Sequence, residues 1–222
     1  MTIDQFFTIF ISIHALFGSI SLLAGTISVI ARKGGRWHKK SGIIFYYGML
    51  VASLSGVVAS FIPGHVNPFL FVVGLFSFYL VLSGYRALRF KRIKSQEQLL
   101  WDKILSWGMF IVGLGMIFFG VSSIVRGANM GTILIVFGLI AIFNASIDLR
   151  AFRDLKMLRK KSIRLHIGKI SGAYIASFTA FFVTNNVLPA LLSWLLPTVF
   201  GVIFITYWLR RTRIPKKTTI RS

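Results

Sequence analysis

Few groups in this 222-residue chain could do acid–base or ligand chemistry: four histidines, five acids and no cysteine. The missing thiols exclude disulfides, iron–sulfur clusters, thiolate metal sites, c-type haem attachment and a cysteine nucleophile. Two of the histidines share a setting. Lys33-Gly-Gly-Arg36-Trp-His38 and Lys161-Ser-Ile-Arg164-Leu-His166 match at an offset of 128 residues, and a tyrosine follows each histidine by eight residues, Tyr46 and Tyr174. If the helices that they open are neighbours, the two imidazoles face one another. Asp148, with Asn144 one turn before it on the same helix face, would then complete a two-histidine, one-carboxylate set suited to a divalent metal such as zinc. The same two histidines, ringed by Arg36, Lys39, Lys40, Arg164 and Lys169, would instead hold the iron of a b-type haem while the cations pair its propionates. The plain alternative is that both imidazoles mark the interface where polar tips meet headgroups.

His14 reads differently. It lies about nine residues into the first apolar stretch, roughly 13 Å below its outer end at 1.5 Å per residue, and an ionisable side chain at that depth is a functional candidate. His14, Gly18, Ser21, Gly25 and Ser28 form one small-residue stripe, which admits a second helix or leaves room for a flat cofactor. His14 thus joins His38 and His166 as a candidate cofactor-binding residue. His65 sits between Gly64 and Asn67-Pro68 and reads as a solvated turn residue. Asp102 and Asp154 read as salt-bridged groups in basic segments, and Asn185 and Asn186 as caps. There is no glycine-rich phosphate loop, no Gly-x-Ser-x-Gly elbow and no His-Glu-x-x-His pair, so no catalytic residue is assigned.

The elements that must carry these groups are membrane spans. The chain is 55% hydrophobic and only 14% charged, with a mean hydropathy of +0.77; a soluble domain carries about a quarter charged residues. A hydrocarbon core about 30 Å thick needs roughly 20 apolar residues per helix. Seven stretches qualify: Phe6–Ile30, Ser41–Ile62, Pro68–Leu88, Ile104–Val125, Thr132–Ile147, Ile167–Val183 and Val187–Leu209. The fifth and sixth are short and are expected to extend into their flanks or to sit tilted. The first is too long for a signal-peptide core, and residues 1–5 lack the basic flank of one.

Charge sets the expected orientation. Of 26 Lys and Arg, 25 fall in segments 32–40, 86–103, 150–169 and the tail from Arg210, and only Arg126 falls in the alternate joints. Basic loops stay cytoplasmic, so the amino terminus is expected outside and the carboxyl terminus inside. Trp37, Trp101, Trp107 and Trp208 lie near the inner ends, as an interfacial belt would. The net charge of +21 is then an insertion signal, and no motif makes it a nucleic-acid footprint. The expected fold is an all-α integral membrane protein of seven transmembrane helices, one domain over 1–222. The matched offsets suggest a 3+1+3 parallel repeat, 5–88 against 129–209 with 103–125 as a linker helix.

Two stretches, with His14, carry a resemblance. They are Arg32-Lys33-Gly34-Gly35-Arg36-Trp37-His38-Lys39-Lys40-Ser41-Gly42 before the second span and Leu165-His166-Ile167-Gly168-Lys169-Ile170-Ser171-Gly172-Ala173-Tyr174-Ile175-Ala176-Ser177-Phe178-Thr179-Ala180-Phe181 in the sixth. They resemble an uncharacterised family of bacterial predicted membrane proteins, a domain of unknown function. The resemblance implies a multi-pass protein of the bacterial cytoplasmic (inner) membrane and supplies no activity. The residues themselves leave four readings: a b-type haem-binding redox protein, a small-solute carrier, a zinc-binding membrane protein, and an accessory subunit of a homo-oligomer or membrane complex. The haem reading leads, because three histidines lie in or at helices and the chain offers few carboxylates.

Overall fold

The computed structural model describes residues 2–127 and 130–212, and every regular element in them is helical. Seven long helices form: α1 Ile3–Ile30, α2 Arg36–Ala59, α3 Pro68–Arg86, α4 Leu100–Val125, α5 Gly131–Ala151, α6 Leu155–Thr184 and α7 Ala190–Arg211. All seven are long and apolar enough to cross a membrane, so this is a multi-pass helical membrane protein. Ala128 and Asn129 of one short joint, and the tail cations Arg213, Lys216, Lys217 and Arg221, lie outside the described residues.

Local chemistry sets the helix starts. Thr2 and Gln5 form a capping box at α1, Asn67 caps α3 ahead of Pro68, and Asp154 accepts from the backbone N–H of Lys156 and Met157 at α6. Each satisfies donors that a helix N-terminus leaves open. Asp154 is therefore a cap, and no cation among the described residues forms with it the salt bridge expected from the sequence. Gly34, at φ +77°, makes the tight turn from α1 into α2 that an L-side chain would strain.

Helix α6 begins twelve residues before the apolar run that marked it. Its first turns are basic outside and apolar inside: Leu158, Ser162 and Leu165 are buried at spacings of four and three. The two leucines pack with Ala87, Phe90, Ile93 and Leu99, from the segment of short 3-10 turns between α3 and α4, and with Ala151 and Phe152. Arg159 and Gln96 donate to the Ile93 and Phe152 carbonyls across the same cap. A hydropathy window sees only the portion of such a helix that lies in hydrocarbon. The short fifth span likewise resolves by extension, reaching 21 residues.

Helix α3 is the centre, packed by α2, α4, α5 and α6, whereas α7 packs on α6 and reaches α3 through the Phe69–Trp194 ring contact. Small residues set the closest approaches. The α1 stripe meets a second stripe on α2: His14 lies against Gly56, Gly18 against Ala52, Ser21 against Gly48, and Ser28 against Gly42. Between α4 and α5 the seam is made of glycines, Gly113 against Gly138 and Gly120 against Gly131. A Cβ at Gly131 would stand 2.5 Å from the Gly120 carbonyl oxygen, a backbone atom that cannot yield alone. Gly131→Val is therefore expected to part the helices at a cost of about 1–3 kcal/mol, read as a melting temperature lower by roughly 2–12 °C. Gly115→Ala, whose Cβ meets nothing within 4 Å, is the control that should melt with the parent.

Candidate functional site

At the end of the bundle that carries the basic loops, α1, α2, α6 and α7, with the last turn of α3, border a cavity of about 480 Å³. That lies within the range of about 300–1,000 Å³ typical of cofactor and ligand sites. Both His38 and His166 line it, together with Lys33 and Lys39, and aromatic walls come from Phe45, Tyr85, Tyr174, Phe204 and Trp208. The structure therefore brings to one cavity the two histidines that the sequence pairs at an offset of 128 residues.

Each imidazole is held in one orientation by the main chain. His38 stands on the first turn of α2, just past the Gly34 turn; its Nδ1–H donates to the Ser28 carbonyl at 3.0 Å and also lies 3.0 Å from Ser28 Oγ. His166 lies inside α6, and its Nδ1–H donates to the Gly84 carbonyl on α3 at 2.9 Å. Gly84 is what allows the approach: a Cβ there would stand 2.9 Å from Lys169 Cβ and 3.0 Å from Ile170. A carbonyl can only accept, so each Nδ1 bears the proton and each Nε2 keeps its lone pair. Neither Nε2 has a hydrogen-bond partner among the described residues. Metal-ligating histidines are oriented in this way, by a hydrogen bond from the far nitrogen to a carbonyl or carboxylate.

Lys33 supplies positive charge at the same place. Its Nζ donates to the carbonyls of Ser28 and Val29, closing the last turn of α1, and lies 5.2 and 5.4 Å from the Phe204 and Trp208 ring centroids. No carboxylate among the described residues pairs with it. Burial pushes its ammonium below the usual lysine range. An anionic group in the cavity would oppose that shift, because an opposite charge favours the charged form.

The other candidates lie elsewhere. The His14 Nδ1–H donates to the Ala52 carbonyl at 2.8 Å on the α1–α2 seam, outside this cavity. His65 stacks on Phe7 at 3.8 Å and meets Asp4 at 2.9 Å, at the opposite end of the bundle. Asp148 does not join His38 and His166. Among the described residues no three His, Asp or Glu side chains gather as a metal ion needs.

Instead, Asp148 is the hub of a buried polar cluster where α3, α4, α5 and α6 meet. Its Oδ2 accepts from Tyr79 Oη at 2.7 Å and Ser106 Oγ at 3.3 Å, and pairs with Lys169 Nζ at 2.9 Å. Lys169 also donates to Tyr79 Oη at 3.1 Å. Asp148 is 1% and Lys169 4% exposed, and Asp148 Oδ1 has no hydrogen-bond partner among the described residues. Nearer the end of the bundle, Arg86 holds Asp102 through two bonds of 2.6 and 2.7 Å. The sequence expectation for Asp102 thus holds in its pairing, but the group is buried rather than in a loop. Lys169 and Tyr79 escape a sequence reading, since the lysine merges with the basic flank of the sixth span. The usable signal is scarcity: with five acids in the chain, an acid at a helix end needs a cation from another helix. No protein-family model, no curated protein and no solved structure matches this chain.

Proposed function

We propose that this protein binds a b-type haem in the two-histidine cavity, as a redox protein of the bacterial cytoplasmic membrane with its basic loops on the cytoplasmic side. The observation that carries the reading is the pair of imidazoles on one cavity, each with Nδ1–H fixed by a backbone carbonyl and Nε2 left unbonded. His38 and His166 would hold the iron, and Lys33 and Lys39 would pair the propionates. The aromatic walls exclude water from a large apolar ring system. When bound, haem supplies one-electron chemistry; the chain orients the two ligands, screens the propionates and keeps the site dry. His14, on its own seam, supports α1–α2 packing in this reading rather than a second haem.

The test is the absorbance spectrum of protein purified in mild detergent from haem-replete cells, oxidised and then reduced with dithionite. A Soret band with a sharpened reduced α-band, at one haem per chain, is the expected result. A flat visible spectrum would overturn it. The carrier reading would then gain, since the buried Asp148–Lys169 pair is the intramembrane acid that a proton-coupled carrier needs.

A further inference from the structure

A second cavity, of about 370 Å³, continues from the first between α1, α6 and α7. The two share Val29, Ser171, Tyr174 and Phe204, and the second runs on past Phe178 and Phe200. Since α7 packs on α6 and, among the described residues, not closely on α1, the gap between α1 and α7 opens toward the bilayer.

The lining specifies an occupant. No charged side chain borders this limb, so the ligand there is neutral, unlike whatever meets Lys33 next door. Beyond the junction the walls are hydrocarbon and aromatic ring, which suits a long apolar chain arriving from the lipid. At the junction stand two hydroxyls with different duties. Thr26 gives its own proton to the Leu22 carbonyl, so the Tyr174 hydroxyl 2.7 Å away must donate to Thr26. Ser171 has no hydrogen-bond partner among the described residues, although the serine one turn and a half later, Ser177, is bonded back to its own helix. A free hydroxyl donor beside the Tyr174 ring asks for a flat head group that accepts a hydrogen bond. Neutral, flat, carbonyl-bearing and tailed with hydrocarbon describes an isoprenoid quinone. We propose that the limb is a quinone site, with the ring beside Ser171 and Tyr174 and the tail along Phe178 and Phe200 toward the bilayer.

The probe is decylubiquinone, titrated into detergent-purified protein and followed by quenching of tryptophan fluorescence, Trp208 lining the adjoining first cavity. Saturable binding at one quinone per chain is expected. Ser171→Ala should weaken it about two- to tenfold, the range for one neutral hydrogen bond. Val29→Phe, which fills the junction, should weaken it at least tenfold. Ile111→Phe, on a lipid-facing surface of α4, should leave it unchanged, and gel filtration checks that each variant is folded. Absence of saturable quenching, full-strength binding to Val29→Phe, or a tightly held phospholipid that the quinone fails to displace would overturn the proposal. Quinone binding without a haem spectrum would remove the haem reading and keep this one; a haem spectrum without quinone binding would do the reverse.

Discussion

Lys169→Met is expected to destabilise this protein by about 3–5 kcal/mol, the cost of leaving one member of a buried ion pair uncompensated. For a chain of this length that is a fall in melting temperature of roughly 6–20 °C. The geometry gives the reason. Asp148 Oδ2 collects three donors from three other helices, and Lys169 is the only cation among them. Removing it leaves a carboxylate that Tyr79 and Ser106 can bond but not neutralise, at 1% exposure. Asp148→Asn strands the Lys169 ammonium in the same way and should cost a similar amount. The double variant Asp148→Asn/Lys169→Met removes both charges, and pairs exchanged together for neutral groups are often close to neutral in stability. It should melt within a few degrees of the parent. The absence of cysteine removes thiol-reactive dyes as a readout, so unfolding is followed through intrinsic tryptophan fluorescence. A double variant that loses the sum of the two single losses would mean that the two side chains do not act as a pair.

The fold was legible wherever one physical rule dominated. Hydrophobic length marks a span regardless of what packs against it, so all seven helices and their order follow from composition. Their starts were less legible. The first turns of α6 are basic, and what holds them helical is the Asp154 cap and the buried Leu158 and Leu165, two leucines that the surrounding Lys and Arg outweigh in a hydropathy average. The α1 stripe carried two meanings in sequence, helix contact or room for a cofactor. The structure sets His14, Gly18 and Ser21 against a matching stripe on α2, while Gly25 and Ser28 border the two-histidine cavity, and neither partner is visible to a reading of one helix at a time.

The site was legible by half. His38 and His166 share flanking cations at an offset of 128 residues, and both line one cavity. Asp148 was grouped with them by its place at a helix end, yet helix ends say nothing about which face a residue presents. The packing of α5 against α3 and α4 turns it toward Tyr79 and Ser106. Lys33 was counted as an orientation signal among many cations. Its place between Phe204 and Trp208 depends on α7, some 170 positions further along the chain.

Single histidine substitutions should separate the two classes of imidazole. His38→Ala and His166→Ala are each expected to abolish stoichiometric haem, because a single remaining imidazole would hold the group too weakly to survive purification. His14→Ala should keep one haem per chain with an unchanged reduced α-band, its cost falling on the α1–α2 seam where its Nδ1–H meets the Ala52 carbonyl. Added imidazole gives the sharper reading. Truncating a ligand histidine to alanine leaves a space of the shape of an imidazole, so millimolar imidazole should restore the bis-histidine spectrum in His38→Ala and His166→Ala. A merely structural histidine would regain stability at best, without a spectral shift. Gly84→Ala probes the same ligand indirectly: its Cβ, set against Lys169 and Ile170, would push α3 from α6 and lengthen the bond that orients His166. The expected result is haem that remains bound but with a broadened α-band and a shifted midpoint potential. Full haem content in both ligand variants, with spectra that imidazole does not change, would sink the assignment of His38 and His166 as ligands.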